Sequence, residues 1–525
     1  MATHSGSAPL LPPPPLAASF PASTARPSST FTFVGATPEA TATLRRVLEE
    51  NDRAYDVYMG LRFAHNHFSH SVLARYALGG GPALLQRTWE HDRAALVPLD
   101  PASQPGRDGG VPASFPDTID TSNWASQATL GKKPAYARYL SFFHAEVGRL
   151  GAQGAIDTYL LAAEANGGEA GPEMLIRLVA GITHPFIHLG LGVEFGERLL
   201  VAEALASAAV HVHQNNVGLF PDGWPQAALP QASDGAAPLL GIYAALLSEP
   251  RLDPGPFDPD FVFAECMRGA VAGGRAAIIQ RLVARWDLSD VDAALDARVE
   301  EVAWLATLLA GATSKPGYPT RVDFFLMHAL TSSVFLPALL ARLGAQARRI
   351  VLQSYVLTIL QVALARGRPR LYPAESMSWS AAPAPKLPAR PATDVIGDPA
   401  DPGQHNPWLA IVANALVSTD SHVPKSVRAL LHYAQAYGST PRGGVLGAEA
   451  IPGGESLDGS LFVRVAGRIL DVTGWVAAGE PERNWDRSGL GWDAVWDMPD
   501  YKRPESAMTV DKIVPRGQVK NDGKL

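Results

Sequence analysis

The sequence predicts an all-α protein: one large multi-helix body with long irregular loops and a disordered N-terminal tail. Three observations carry this. Most segments between residues 37 and 437 are rich in Ala and Leu, with apolar residues recurring every three to four positions. Alternating β-branched runs, the mark of half-buried strands, are scarce. Helix start and stop signals stand where the periodicity begins and ends.

Residues 1–35 are rich in Pro, Ser, Ala and Thr, and cannot bury enough apolar surface to offset the entropy of ordering. They read as a disordered tail, ending where Phe31 and Phe33 dock on the body. Thr37 as N-cap and Pro38 at the first position open a helix. A second helical pattern runs from Tyr55 to Leu78 and stops at Gly79-Gly80-Gly81. Residues 96–130 read as irregular. Helices are expected over Pro134–Leu150, Ala155–Asn166, Pro172–Ala180 and Phe186–His211, then over 236–248, 258–285, 290–312 and 321–366. A Pro-rich stretch, 367–406, reads as a linker or a loop over the body. Two helices follow, 407–417 and 422–437, and Leu461–Leu470 reads as a strand. The helical domain is assigned to 36–500, with 501–525 as a C-terminal tail.

With 525 residues, 47% of them hydrophobic, the chain can build a large core. The net charge of -7 and scattered Lys and Arg argue against nucleic acid as a partner. One cysteine, Cys266, rules out a disulfide framework or a thiolate metal site within the chain and suggests a reducing, cytoplasmic location. Beside Glu265 and with no His nearby, it reads as a core thiol. No uninterrupted apolar stretch of about 18 residues predicts a membrane span, and Pro12 to Pro15 break the only apolar run near the N-terminus. The Gly-rich dinucleotide fingerprint, the Walker phosphate loop and the serine nucleophile elbow are all missing.

Histidine is the informative residue. Of 14, most fall in clusters. His65, His67 and His70 lie before the triple glycine; His67 and His70 share a face that Ala74 and Ala77 continue with small side chains. His184 and His188 stand one turn apart, with Pro185 in the first turn. His328 sits in a strongly apolar segment, and His422 and Lys425 are three apart. A lone histidine on an apolar face is most often a core residue. Pairs at helical spacing are what metals use, and imidazole-rich sets suit iron, copper, nickel or zinc. A lysine beside a buried metal is driven to its neutral amine, which can capture carbon dioxide as a carbamate and supply an anionic oxygen. On its own, Lys425 reads first as a solvated helix lysine.

In this order the clusters resemble the questin-oxidase-like family of fungal enzymes. The matching stretches run from Phe63 to His70 and on to Gly79, from Ile182 to Gly190 with Val193-Glu194-Phe195, from Asp323 to His328 with Thr331-Ser332-Ser333, and from Asp420 to Lys425 with Arg428-Ala429-Leu430. The close, Gly489 to Trp496, also looks like the family's, and the likeness covers roughly residues 45 to 500. One departure is that Asp52 and Asp56 stand in a segment where relatives often carry His.

The resemblance implies Baeyer–Villiger-like ring opening of an anthraquinone-type aromatic polyketide with dioxygen, at a non-haem iron held by histidines and a carboxylated lysine. The implied ligand candidates are His67 or His70, His184 or His188, His328, His422 and Lys425. The working assignment gives the metal to His70, His188, His328, His422 and Lys425, and acid–base work to His65, His67 and His184. Phe186, Phe324 and Phe325 are expected to exclude water and stack on a flat substrate. Two other classes stay open: a metal-free oxidase drawing on NADPH, and a non-catalytic helical binding protein.

Overall fold

Thr37 opens the fold as its sequence suggests. Its Oγ1 accepts the Ala40 N–H at 3.1 Å, and Pro38 fills the first turn of α1 (Pro38–Ala54). This satisfies one of the unpaired N–H groups at the helix end. The structure, a computed structural model, describes residues 37–498 except 60–63, 100–114, 168–170, 214–215, 217, 222–223, 226–227, 231–234, 382 and 385–405. The expected tails, with Phe31 and Phe33, and the end of the Pro-rich stretch lie outside the described residues.

The helix expected from Tyr55 to Leu78 is not continuous. Tyr58–Met59 (β1) pairs antiparallel with Ala64–His65 (β2), placing Tyr58 opposite His65, and α2 (Phe68–Ala77) begins after them. Short polar side chains offer the backbone an alternative to the helix here. Asp56 accepts from the Tyr58 N–H at 2.9 Å, and Asn66 accepts from the Phe68 N–H at 3.0 Å while donating to Asn51 at 2.9 Å. The glycine stop holds, with Gly79 at φ 88°.

Next come α3 (Pro82–Asp92), α4 (Tyr136–Ile156), α5 (Met174–Val179), α6 (His184–Phe195) and α7 (Arg198–Val210). Of the helix expected over Ala155–Asn166, Ala155 and Ile156 close α4, and the rest forms a π-helical turn, Asp157–Leu161, and a short 3-10 turn, Ala163–Ala165. The helix expected over Phe186–His211 is two, broken where Gly196 turns left-handed at φ 71°. Further on lie α8 (Leu239–Ser248), α9 (Phe263–Val271) and α10 (Arg275–Ala284), the last two parted by Gly273 and Gly274, both at positive φ. Then come α11 (Leu295–Gly311), α12 (Met327–Ser333), α13 (Leu336–Leu340) and α14 (Ala345–Ala365). Pro337 and Gly344 mark the breaks in what the periodicity alone joins into one helix over 321–366.

The Pro-rich stretch carries α15 (Pro373–Ser378), and α16 (Trp408–Val417) and α17 (His422–Tyr437) follow as expected. The expected strand at Leu461–Leu470 is instead α18 (Leu461–Thr473), before the short α19 (Asp493–Trp496). The β-branched start of this segment misleads. Leu461, Val465 and Ile469, with Phe462, Ala466 and Leu470, recur every four residues and are all buried, the period of a helix.

One contiguous apolar cluster runs from Ala40 to Trp485. Among the described residues α14 is the one helix long and apolar enough to cross a membrane, and 83% of that stretch is buried inside the body. Cys266 is partly buried against the core. Helices α2, α6, α12 and α17 each touch two or more of the others, and the histidines sit where these four converge.

Candidate active site

Each histidine-bearing helix is set by local chemistry. His67 is the residue before α2, and His184 is the first residue of α6, following Gly181, Ile182 and Thr183 at φ 57°, 55° and 63°. Left-handed backbone is rare for β-branched residues and costs about 1–3 kcal/mol apiece. The turn aims the Gly181 carbonyl at Nδ1 of His184, 2.6 Å away. Ahead of α12, Asp323 accepts from the Phe325 and Leu326 N–H groups at 2.8 and 2.9 Å, and its other oxygen pairs with Arg366 at 2.8 Å. Nδ1 of His328 then meets the Phe324 carbonyl at 2.9 Å. At the head of α17, Asp420 accepts from the N–H and from Nδ1 of His422 at 2.8 and 2.7 Å, and from the Trp485 indole at 2.9 Å.

These contacts fix tautomers. A carbonyl only accepts, so His184 and His328 carry their proton on Nδ1 and turn the lone pair of Nε2 inward. The Asp420 carboxylate does the same for His422. Burial would raise that carboxyl, but the electrostatic pull of His422, its two hydrogen bonds and Lys425 outweigh it and hold it well below the usual range. Ligand atoms of His67, His184 and His328 all lie within 4.8 Å of one another, and Nε2 of His67 and of His184 are 3.0 Å apart. Nε2 of His328, Nε2 of His422 and Nζ of Lys425 are buried with no hydrogen-bond partner among the described residues. Buried lone pairs without donors on α12 and α17, facing the paired Nε2 atoms of His67 and His184, make up the donor set of a metal site. The residues present fit an imidazole-bound ion.

The rest of the cluster packs round this centre. His65 stacks on His184 at 3.9 Å, and its Nε2 is 3.2 Å from Nε2 of His211. His211 is held through Nδ1 by the Val212 carbonyl at 2.9 Å. Nε2 of His70 faces Nδ1 of His188 at 2.8 Å, and Nε2 of His188 lies 3.1 Å from Glu203. The three atoms grouped most closely therefore come from His67, His184 and His328, whereas the sequence set His70 and His188 beside His328. All eight candidates meet at one place.

Burial, then neighbouring positive charge, lowers the imidazoles below their ordinary range: His65, His67, His70, His184 and His328 well below it, and His188, His211 and His422 to about 4. They are neutral at neutral pH. Burial also brings the Lys425 amine down to about 7. A small void beside it, lined by His70, Ala74 and Lys425, is large enough for about one water. The small face of α2 read from Ala74 borders this void.

The partly exposed rim is Phe324, edge-on to His328 and His422 with centroids at 5.2 and 4.8 Å, and Arg487 over its ring at 4.2 Å. Phe325 stacks on Phe263 at 4.0 Å, next to a second small void bounded by His328. Phe186 instead packs against Tyr355 in the core. Sequence reasoning missed His211, Glu203 and His144. Glu203 left a signal, as the lone carboxylate in the apolar run of α7.

Fold and site together define a helical protein built around buried, neutral imidazoles that leave several inward lone pairs unused. Comparison gives the family: residues 64–430 match the Questin oxidase-like model, and the chain belongs to that family. It is 30% identical over 455 residues to questin oxidase of Aspergillus fumigatus, covering 86% of this chain and 92% of that protein. It is 26% identical over 498 residues to the Baeyer-Villiger monooxygenase AacuH of Aspergillus aculeatus, covering 91% and 94%. With the Baeyer-Villiger oxidase ptaJ of Pestalotiopsis fici the identity is 28% over 432 residues, covering 82% and 87%. The chain is an oxidoreductase of this family.

Proposed function

We propose that the protein is a non-haem iron oxygenase that opens a ring of an anthraquinone-type aromatic polyketide in secondary metabolism. One oxygen atom from dioxygen is inserted beside a carbonyl, in the Baeyer–Villiger sense. The observation that carries this is the convergence of His67, His184 and His328 within 4.8 Å, with the free Nε2 of His422 and Nζ of Lys425 nearby. Relatives named questin oxidase and Baeyer-Villiger oxidase support the reaction class.

In this reading His67, His184 and His328 hold the ion, joined by His422 and by Lys425 as a carbamate. Metal roles thus pass to His67 and His184, and His70 and His188 stand behind them. The Lys425 amine is suited to this: at a value of about 7, much of it is unprotonated and free to attack carbon dioxide. Its nitrogen then loses one proton and the group becomes an anionic oxygen donor. Iron, when bound, supplies the redox activation of dioxygen that organic side chains lack.

The chain's own residues do the rest. Carbonyls of Gly181 and Phe324 and the carboxylate of Asp420 hold three rings in one tautomer. Phe324 offers a partly exposed face at the rim for a flat ring and shields His328 from water. His65, neutral and donating through Nε2 to His211, has Nδ1 left to accept a phenolic proton. We further infer a cytoplasmic location from the single free thiol.

Elemental analysis of protein purified without chelator tests the reading. We expect about one iron per chain, lost in His328→Ala together with activity on questin. Iron and activity both retained in that variant rejects the site, and active wild-type protein without metal rejects the iron.

A further inference from the structure

Segment Trp485–Ser488 ties together the heads of α12 and α17. The Trp485 indole donates to Asp420, just before α17, at 2.9 Å. The Asp486 N–H donates to the Val322 carbonyl at 2.9 Å, and the Asp486 carbonyl accepts from the Phe324 N–H at 2.8 Å, which makes a parallel bridge between Asp323 and Asp486. On the other side of Arg487, the Ser488 N–H donates to the Asp486 carboxylate at 2.7 Å. The backbone of Arg487 is thus pinned to both segments that carry candidate ligands.

Its guanidinium carbon stands 4.2 Å over the centre of the Phe324 ring. That ring lies 4.8 Å from His422 and 5.2 Å from His328. Arg487, Phe324 and His67 are partly exposed, whereas His184, His328 and His422 are buried. Arg487 and Phe324 therefore stand together at the outer end of a short line from solvent to the buried rings.

The bridge does not call for this extra cation. Arg366 pairs with Asp323 at 2.8 Å, and Arg321 faces Asp486 at 3.6 Å. Contact with an aromatic face spends none of a guanidinium's N–H donors, because they all lie in the plane of the group. Stacked on Phe324, the group offers charge and directed donors to an oxygen beside the ring. A planar fork of this kind matches a carboxylate or a phenolate. Phe324 matches a flat ring. Side by side, the two residues select a ligand that has both features.

We propose that Arg487 is a specificity-determining residue: it anchors an oxyanion, phenolate or carboxylate, carried on the edge of a flat aromatic ligand seated at Phe324. Held there, the ligand has its ring system directed past Phe324 toward the buried histidines. A neutral ligand of the same shape gains the stacking and forgoes the ion pair. That this ligand is the substrate rests on the oxygenase reading, but the anchor itself does not.

Equilibrium dialysis with the full chain tests the anchor without turnover. The probes are anthraquinone-2-carboxylate, the matching carboxamide, and 2-hydroxyanthraquinone on either side of its phenol ionisation. Wild type is expected to bind the carboxylate about tenfold more tightly than the carboxamide, and the hydroxy probe about tenfold more tightly once ionised. A preference for one of the two anions upholds the anchor and assigns it to that group. In Arg487→Met, which keeps a side chain over Phe324, the preference falls to within about twofold while the carboxamide binds as before. Arg487→Gln takes its place if that variant fails to fold. With questin as substrate, Arg487→Met raises KM by about tenfold and changes kcat by less than about twofold. Wild type that binds charged and neutral probes alike, or binds none of them, overturns the anchor. So does a loss in Arg487→Met that falls equally on all probes, since it would mean that the residue only packs on Phe324. The expected binding preference in a chain that does not turn over questin upholds the anchor and counts against the oxygenase reading alone.

Discussion

Lys425 is the residue on which the site's charge balance turns. Its amine is buried and has no partner among the described residues, which in a metal-free chain is a cost of about 1–3 kcal/mol. Lys425→Met removes that cost at nearly the same volume. We expect the metal-free variant to melt higher than wild type and to bind iron more weakly, measured by thermal denaturation and by titration against a chelator. A lower melting point would mean that the amine has a partner which the packing does not reveal. Asp420 acts in the opposite sense: it adds a negative charge beside the cluster while fixing His422, and in the proposed iron-bound form it would join a carbamate in offsetting a cation that neutral imidazoles cannot.

At the scale of elements, the turn Gly181–Thr183 decides where His184 points. A Cβ on Gly181 would stand 2.0 Å from Nε2 of His211, at a φ of 57° that disfavours side chains. Gly181→Ala should cost roughly 2–4 kcal/mol in chemical denaturation and displace both His184 and His211. A loss under about 1 kcal/mol would show that the turn relaxes freely. This turn also marks the limit of what the sequence discloses. Thr37-Pro38, the triple glycine and the four histidine motifs are local signals, and they located α1, the end of α2 and every candidate ligand. The helix breaks at Gly196, Pro337 and Gly344 were visible as residues but lay inside periodic apolar runs that outvoted them. Which ring nitrogen faces inward was not legible, because it depends on carbonyls such as those of Gly181 and Phe324, whose direction only the folded backbone sets. His211 escaped notice because its partner, His65, lies far away in the chain, and Glu203 because it faces His188 only once α6 and α7 pack together.

At the scale of the whole molecule, gathering so many neutral imidazoles makes stability depend on pH. Unfolded, each takes up a proton near 6.5; folded, burial holds His188, His211 and His422 at about 4 and the others well below their ordinary range. Below 6.5 the unfolded chain binds protons that the fold refuses. Stability present above that value therefore falls as pH drops toward about 4, by about 1.4 kcal/mol per pH unit for each imidazole. Denaturation of metal-free protein at pH 7, 6 and 5 should show this steep decline, and a flat profile would mean that the rings are open to water. The convergence of α2, α6, α12 and α17 also imposes an order in time. During synthesis, the segment carrying His422 and Lys425 emerges long after those carrying His67 and His184. The nascent chain thus displays a partial set of imidazoles and acquires its full complement only when α17 docks on α2 and α12. A prematurely ended chain, lacking that helix, carries neither the amine nor the His422 ring. Completion of the polypeptide is thereby a checkpoint on the assembly of the candidate metal centre.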